Sequence, residues 1–409
     1  KKCYECIVKR KKLKEVFELY KKLLKAYHEK ALIKKIITKI KPYFCGMLLV
    51  ILNKSKKNIK LHTPKIIEKN TLDSQLALRI FESYKKMKSE QKKTSDLFKP
   101  SAMWQLHIDK DYKILKESAE TNDLNKFMFF LSNFGNWKDY LGIENNTLIK
   151  KYSKNFFLKR YLINVVFGKQ LELWKYYNNY KKDTSTLNAP IHGNQIGAYI
   201  DDNFVFIGSF FNEIIASVLN NLICKLKRPV VSDLGGGYGK LAFYTLKEHK
   251  DFCFIDFDLP ETLCLAAYYL MKTWPEKKTL LYGEEEYFQE KNSSYDLIFM
   301  PPFEITKLTN NSIDLFINKN SLGEMNPDAV NNYLKYICKS TNYFFHMNHD
   351  INRNIFKDGV RGLLGYEYPI DKKKFDLIFK YPVVGHSTYL GEFDLENDIF
   401  MYLYKNIER

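Results

Sequence analysis

Ten residues near the middle of the chain, Val230 to Gly239 (VVSDLGGGYG), restrict its fold more than any other feature. An apolar run ends at Asp233, three alternate glycines follow at Gly235, Gly237 and Gly239, and a helical pattern starts directly after them. Glycine lets a backbone turn sharply and approach a ligand closely. The loop amides and the start of the following helix favour an anionic group. A strand, a glycine turn and a helix in this order belong to a parallel α/β sheet, in which ligands bind beyond the carboxyl ends of the strands. The dinucleotide fingerprint G-x-G-x-x-G fails, because its last position falls on Lys240 or Ala242, and the absence of G-K-[ST] excludes a P-loop.

The surrounding pattern agrees. Helical spacing at 210–226 is followed by a strand at 229–234, a helix at 240–248, a strand at 252–257 and a helix at 260–274. Further strands are expected at 279–282, 295–300, 312–318 and 342–348, with a helix at 327–340. Strand–helix alternation predicts a mostly parallel sheet covered on both faces. The last two strands, about 375–384 and 397–404, follow each other without a helix and predict an antiparallel hairpin at the sheet edge.

Upstream the texture is helical. Residues 8–40 read as one amphipathic helix, with Leu13, Val16, Phe17, Tyr20, Leu23, Leu24 and Tyr27 at spacings of three and four. Pro42 is expected to end it, and the apolar run Phe44 to Leu52 follows. Residues 60–185 continue with helical spacing, and the Ser/Thr/Asn/Pro/Gly-rich segment 181–197 reads as a linker. The expected organisation is therefore a basic helical accessory domain, 1–185, and an α/β domain, 190–409.

Charge follows the same division. The net charge is +18 over 409 residues, and 28 of the 65 Lys and Arg but only 9 of the 47 Asp and Glu lie in residues 1–100. Such asymmetry is either a solvated lysine-rich face or an arm for an acidic partner. A basic amphipathic helix beside a short apolar run would suit an anionic membrane surface through residues 8–52. No window approaches the roughly 20 apolar residues of a spanning helix, and the first residues given do not show the pattern of a cleavable signal. Seven irregularly spaced cysteines fit a reducing compartment. Together these features predict a cytoplasmic protein, peripheral to the inner face of a membrane if the arm binds there.

The pattern D-x-G-x-G-x-G resembles the first motif of class I S-adenosylmethionine-dependent methyltransferases. The resemblance implies a Rossmann-like sheet and a cofactor site of Asp233, Gly235, Gly236, Gly237 and Gly239. Asp258, 19 residues after Gly239 at the end of the next strand, is implied to hold the two ribose hydroxyls. Asp256 shares its strand face one step deeper.

Residues 191–404 further resemble the sugar O-methyltransferase family found among bacterial surface-polysaccharide genes. The matching stretches are GNQIG (193–197), DLGGGYGKLAFYTL (233–246), DLPETLCLAAYYL (258–270), IDLFINKNSLGEM (313–325) and YFFHMN (343–348). The resemblance implies methyl transfer to a sugar hydroxyl of a surface polysaccharide or its precursor, with a sugar nucleotide or glycan as partner. It also implies Asn318 and Ser321 as substrate-binding residues. A sugar hydroxyl is a poor nucleophile, so a base is useful; Glu324 and His349 are the catalytic candidates. A divalent cation held by Glu324, His349 and Asp350 would be compatible, but no ligand spacing supports one.

Two other readings stay open. The segment Tyr295 to Phe303 (YDLIFMPPF) resembles the D/N/S-P-P-Y/F motif of amino-group methyltransferases acting on nucleic acid or protein. Met300 stands where that motif needs a hydrogen-bond acceptor, so nucleic acid is disfavoured, and Pro301, Pro302 and Phe303 would instead wall the adenine. The third reading is a non-catalytic interaction module.

Overall fold

The computed structural model describes Glu18 and residues 31–68, 73–136, 147–287, 294–356, 359–383 and 398–408. Helix α1 (Ala31–Ile51) and strand β1 (Ile59–His62) come first. Then follow α2 (Ser74–Gln91), α3 (Ala102–Lys110), α4 (Lys113–Glu120), α5 (Leu124–Asn133), α6 (Thr147–Tyr152), α7 (Phe156–Tyr161) and α8 (Lys169–Tyr177). A π-helical stretch, Leu162–Gly168, joins the last two. Helix α2 shows why the pattern works. The Asp73 side chain accepts from the amides of Gln75 and Leu76, and Ala77, Ile80, Phe81, Tyr84 and Met87 form a buried stripe.

Pro42 does not end the first helix. It lies inside α1, whose residues before Ala31 fall outside the described part of the chain apart from Glu18. An internal proline removes a backbone hydrogen bond and costs about 3 kcal/mol. Packing offsets that cost: α1 lies against α7 so closely that a side chain at Gly46 would overlap the Phe157 carbonyl. Tertiary contact, which periodicity does not reveal, overrides the local rule here.

The segment expected as a linker is packed in place. Asp183 caps a short turn at Thr184–Leu187, and Leu187, Ala189, Asn194, Gln195 and Ile196 are buried. Strands β2 (Gly197–Ile200) and β3 (Asn203–Val205) follow, and β1 pairs antiparallel with β2, so a small three-stranded sheet joins the two halves of the chain.

The second half builds the main sheet. In order come α9 (Ser209–Ile223), β4 (Val230–Leu234), α10 (Lys240–Leu246), β5 (Cys253–Phe257), α11 (Pro260–Thr273), β6 (Thr279–Leu281), β7 (Leu297–Met300) and β8 (Ile313–Lys319). Helix α12 (Pro327–Ser340) and strands β9 (Thr341–His349), β10 (Phe375–Pro382) and β11 (Ile399–Asn406) complete it. The strand order is β10-β11-β9-β8-β4-β5-β7-β6, parallel from β9 to β6, with β11 antiparallel to both of its neighbours. This is the Rossmann-like sheet with a terminal antiparallel hairpin that the sequence predicts. The last strand inserts between β9 and β10, so β10 forms the edge.

Period two divides the cores. Phe254 faces α9, α10, α11 and the N-terminal helices, whereas Cys253, Ile255 and Phe257 face α12. Both faces are covered, as parallel strands require. Beyond β5 the chain goes first to the sheet edge as β6, comes back inward as β7 beside β5, and then crosses to the other side of β4 as β8. That reversal beside β4 is the switch point at which such sheets bind ligands. Among the described residues no helix is long and apolar enough to cross a membrane.

Candidate functional site

The glycine loop sits at that switch point. Gly235 has φ +76° and Gly239, at the start of α10, has φ +86°, both in the left-handed region. A side chain at Gly235 would also overlap Ser321. The Gly235 amide donates to the Phe257 carbonyl (2.9 Å), which ties the loop to the end of β5.

A buried amide network supports the loop from the β8 side. Asn318 Nδ2 and Ser321 Oγ donate to the Leu234 carbonyl at 2.8 and 2.7 Å, and Asn348 Nδ2 donates to Asn318 Oδ1 at 3.0 Å. Asn318 is fully buried, so its polar atoms serve the loop rather than a ligand, while Ser321 also reaches the surface of the neighbouring cavity. From the opposite side, the Tyr238 hydroxyl donates to Gln195 Oε1 (3.1 Å). The GNQIG stretch thus anchors the loop residue next to Gly237.

Three carboxylates gather under and beside the loop. Asp233 and Asp256 are direct register partners on adjacent strands, and a side chain at Gly236 would press on both. Asp233 Oδ1 and both Asp256 oxygens are buried without a hydrogen-bond partner. Burial, followed by the charge of Asp258, pushes Asp233 up to about 8, and burial with the Asp258 and Asp233 charges raises Asp256 well above the carboxylate range. Unpaired buried carboxyls keep their protons. Asp258 stands at the lip, with Oδ2 accepting from the Gly237 amide (3.0 Å) and Oδ1 from the Leu259 amide (2.6 Å). Burial raises its pKa against the pull of those amides.

Asp233 and Asp258 open onto a cavity of about 420 Å³. One side is Asp233, Gly235 to Gly237, Asp258, Thr262 and Pro302; the other is Lys319, Ser321, Glu324 and Tyr333. The third wall comes from the N-terminal half, through Asp96, Leu97, Lys99, Pro100, Ser101 and Trp104. Sequence reasoning missed this wall, because no local signal tells residues 96–104 that they will meet a loop more than a hundred positions away.

Glu324 faces this cavity and accepts a hydrogen bond from Trp104 Nε1 at 2.7 Å. Burial, opposed by that hydrogen bond, pushes its pKa up to about 7, where a carboxylate can exchange a proton near neutrality. Replacing Trp104 by phenylalanine removes the donor and should move the Glu324 inflection about one unit further up, as a pH–rate profile would show.

His349 sits behind the wall that carries Glu324, its ring against Gly323, the residue before Glu324. It ends β9, is not among the cavity-lining residues, and its Nδ1 pairs with Asp398 Oδ2 at 2.5 Å. Asp350 bonds the Tyr402 hydroxyl and pairs with Lys380 Nζ at 2.6 Å. The structure therefore does not unite Glu324, His349 and Asp350, and among the described residues no three His, Cys, Asp or Glu side chains cluster as a metal site would require. His346 is fully buried and stacked on Tyr402 and Tyr404, with burial lowering it to about 3. Met300 is buried on β7, which pairs with β5 rather than β4; Pro302 lines the cavity, and Phe303 packs edge-on against Tyr282.

No family model and no curated protein matches the chain. Among solved structures it is similar to the PH0226 protein of Pyrococcus horikoshii, with 13% identity over 48% of this chain and 91% of that one and a TM-score of 0.33. It is also similar to a SAM-dependent methyltransferase of Aquifex aeolicus, with 11% identity over 57% and 98% of the two chains and a TM-score of 0.31. A Leishmania major SAM-dependent methyltransferase shares 15% identity over 58% and 82% of the two chains, with a TM-score of 0.33. Overlays this loose carry no weight for function, which must stand on the loop, the acid and the cavity.

Proposed function

We propose that the chain is an S-adenosylmethionine-dependent O-methyltransferase acting on a sugar hydroxyl, the acceptor belonging to a bacterial surface polysaccharide or its precursor. One observation carries the reading: a side-chain-free loop and an acid at its lip share a single cavity with a carboxyl group poised near neutrality.

The residues fit the cofactor. Gly235 to Gly237 line the cavity with backbone alone, where its amino-acid part would lie, and Asp233 Oδ1 is a buried polar atom with no hydrogen-bond partner in the protein. Asp258 stands where ribose hydroxyls would replace water on its oxygens, and Pro302 walls the side on which the base would lie. When bound, S-adenosylmethionine supplies a methyl group on a positively charged sulfur.

The protein's own part is positioning and proton transfer. Glu324 in its ionised form would accept the proton of the acceptor hydroxyl on a carboxylate oxygen, which would free that hydroxyl oxygen to take the methyl group the cofactor would supply. Trp104 holds the carboxylate in place. Leu97, Pro100 and Trp104 exclude water from the reacting atoms, so residues 1–185 serve the domain at 190–409 by closing its pocket. His349, paired with Asp398 outside that pocket, is the weaker catalytic candidate. The peripheral-membrane reading of residues 8–52 draws support from Ile36, Ile40 and Tyr43, exposed at helical spacing beside the exposed Lys39 on α1. A cytoplasmic location follows from the cofactor and acceptor proposed.

Calorimetry with S-adenosylhomocysteine tests the core of the proposal. Asp258→Ala should weaken binding by about 1–3 kcal/mol, the usual cost of stranding the partners of a carboxylate. No uptake by the folded wild-type protein would defeat the reading. Transfer of labelled methyl to sugar nucleotides or oligosaccharides, rather than to RNA, then separates the sugar acceptor from its alternatives.

A further inference from the structure

A second and larger cavity, about 840 Å³, adjoins the first, and Lys99 and Pro100 line both. Its walls collect ammonium groups. Lys85, Lys88 and Lys92 lie along one face at the C-terminal end of α2, Lys116 projects from α4, and Glu120 is the one acid among the lining residues. Like charges brought together repel unless something acidic lies between them. Four of these lysines have an acid beside them: Lys85 with Glu82, Lys88 with the buried Glu261, Lys99 with Asp96 and Lys116 with Asp109, each at 2.8 Å. An ammonium has three donors, so each can still give to a ligand. Lys92 pairs with no acid among the described residues.

A separate observation shows what the cavity lacks. Gln91 lines it at 5% exposure, and its Oε1 accepts from Lys88 Nζ at 3.0 Å. Its Nε2 is buried with no acceptor at all. Buried amide donors are almost always satisfied. A wall of donors around an orphaned N–H calls for an oxygen-rich anion.

We infer that this cavity holds a phosphate or diphosphate of the methyl acceptor, whose sugar passes Lys99 to reach Glu324. This rests on the proposed O-methyltransferase reading and narrows it: the acceptor is a phosphorylated sugar, not a neutral glycan. Sugar nucleotides and lipid-linked sugar diphosphates share the chemistry, and the acceptor assay below distinguishes them.

The test uses the full chain and inorganic pyrophosphate as probe, with S-adenosylhomocysteine titrated in parallel. Pyrophosphate should bind in a 1:1 complex. Its affinity should fall by about tenfold or more in Lys92→Gln/Lys116→Gln, as expected when charge-assisted hydrogen bonds are lost. It should stay unchanged in the control Lys372→Gln/Lys373→Gln, which removes the same charge from an exposed turn, and S-adenosylhomocysteine affinity should be unchanged in both. Absence of pyrophosphate binding, or equal losses in the two double variants, overturns the inference. Failure to bind S-adenosylhomocysteine instead defeats the functional reading and leaves the pyrophosphate result to stand alone. In the transfer assay, kcat/KM should be at least about tenfold higher for a sugar nucleotide or a lipid diphosphate-linked sugar than for the dephosphorylated sugar. The better of the two identifies the source, and equal rates with the dephosphorylated sugar overturn the inference.

Discussion

Gly235→Ala should abolish S-adenosylhomocysteine uptake and cost the fold about 2–5 kcal/mol. Two effects add. A non-glycine residue at φ +76° costs about 1–2 kcal/mol, and the new methyl group overlaps Ser321, an overpacking of about 1–3 kcal/mol. The loop cannot relax toward β8, because Asn318 and Ser321 hold the Leu234 carbonyl, nor toward β5, because Phe257 holds the Gly235 amide. Relief must come through the cavity, where the cofactor would sit. Melting curves and calorimetry measure the two effects separately. Adding Ser321→Gly removes the overlap but leaves the dihedral cost and deletes the hydroxyl that holds the Leu234 carbonyl, so stability should return only in part, measured against Ser321→Gly alone. Wild-type affinity in Gly235→Ala would remove the loop from the binding site.

Glu324→Gln should lower methyl transfer by about 10²–10⁴-fold while leaving S-adenosylhomocysteine affinity near wild type. Wild-type activity should rise with pH through about 7, as Glu324 loses its proton, and then level off; the variant should lack that limb. The same group marks stability. Its folded pKa is raised above the unfolded value of about 4.3, so its contribution is full below that pH and is lost as the pH rises through about 7. The variant should therefore gain melting temperature relative to wild type at pH 8 but not at pH 4. An unchanged rate would return the role of base to His349 or to no residue at all.

The parts legible in the sequence share one property: their cause is local. Alternation and the glycine spacing place β4, β5 and the loop between them, and the helix expected near 327–340 is α12. Asp258 reaches the lip because two positions along a strand return to one face, while Asp256 stays beneath it. What could not be read depends on distant partners. Asn318 looks like a ligand residue by type, yet its amide donates to a main-chain carbonyl 84 positions away. Trp104 reads as an ordinary aromatic until α3 brings it to Glu324, 220 positions on. Pro42 was expected to stop a helix that α7 holds together. The strand Ile59–His62 is too short to stand out from its helical surroundings, and its partner lies across the supposed linker.

That last pairing governs the order in which the chain can mature. The register Ile59↔Ile200 leaves β1 without its neighbour until some 140 further residues have been added. Contacts of such long sequence range form slowly. A growing N-terminal half, or one expressed alone, therefore carries a bare strand edge of the kind that recruits other chains into aggregates, and only synthesis past β2 can seal it.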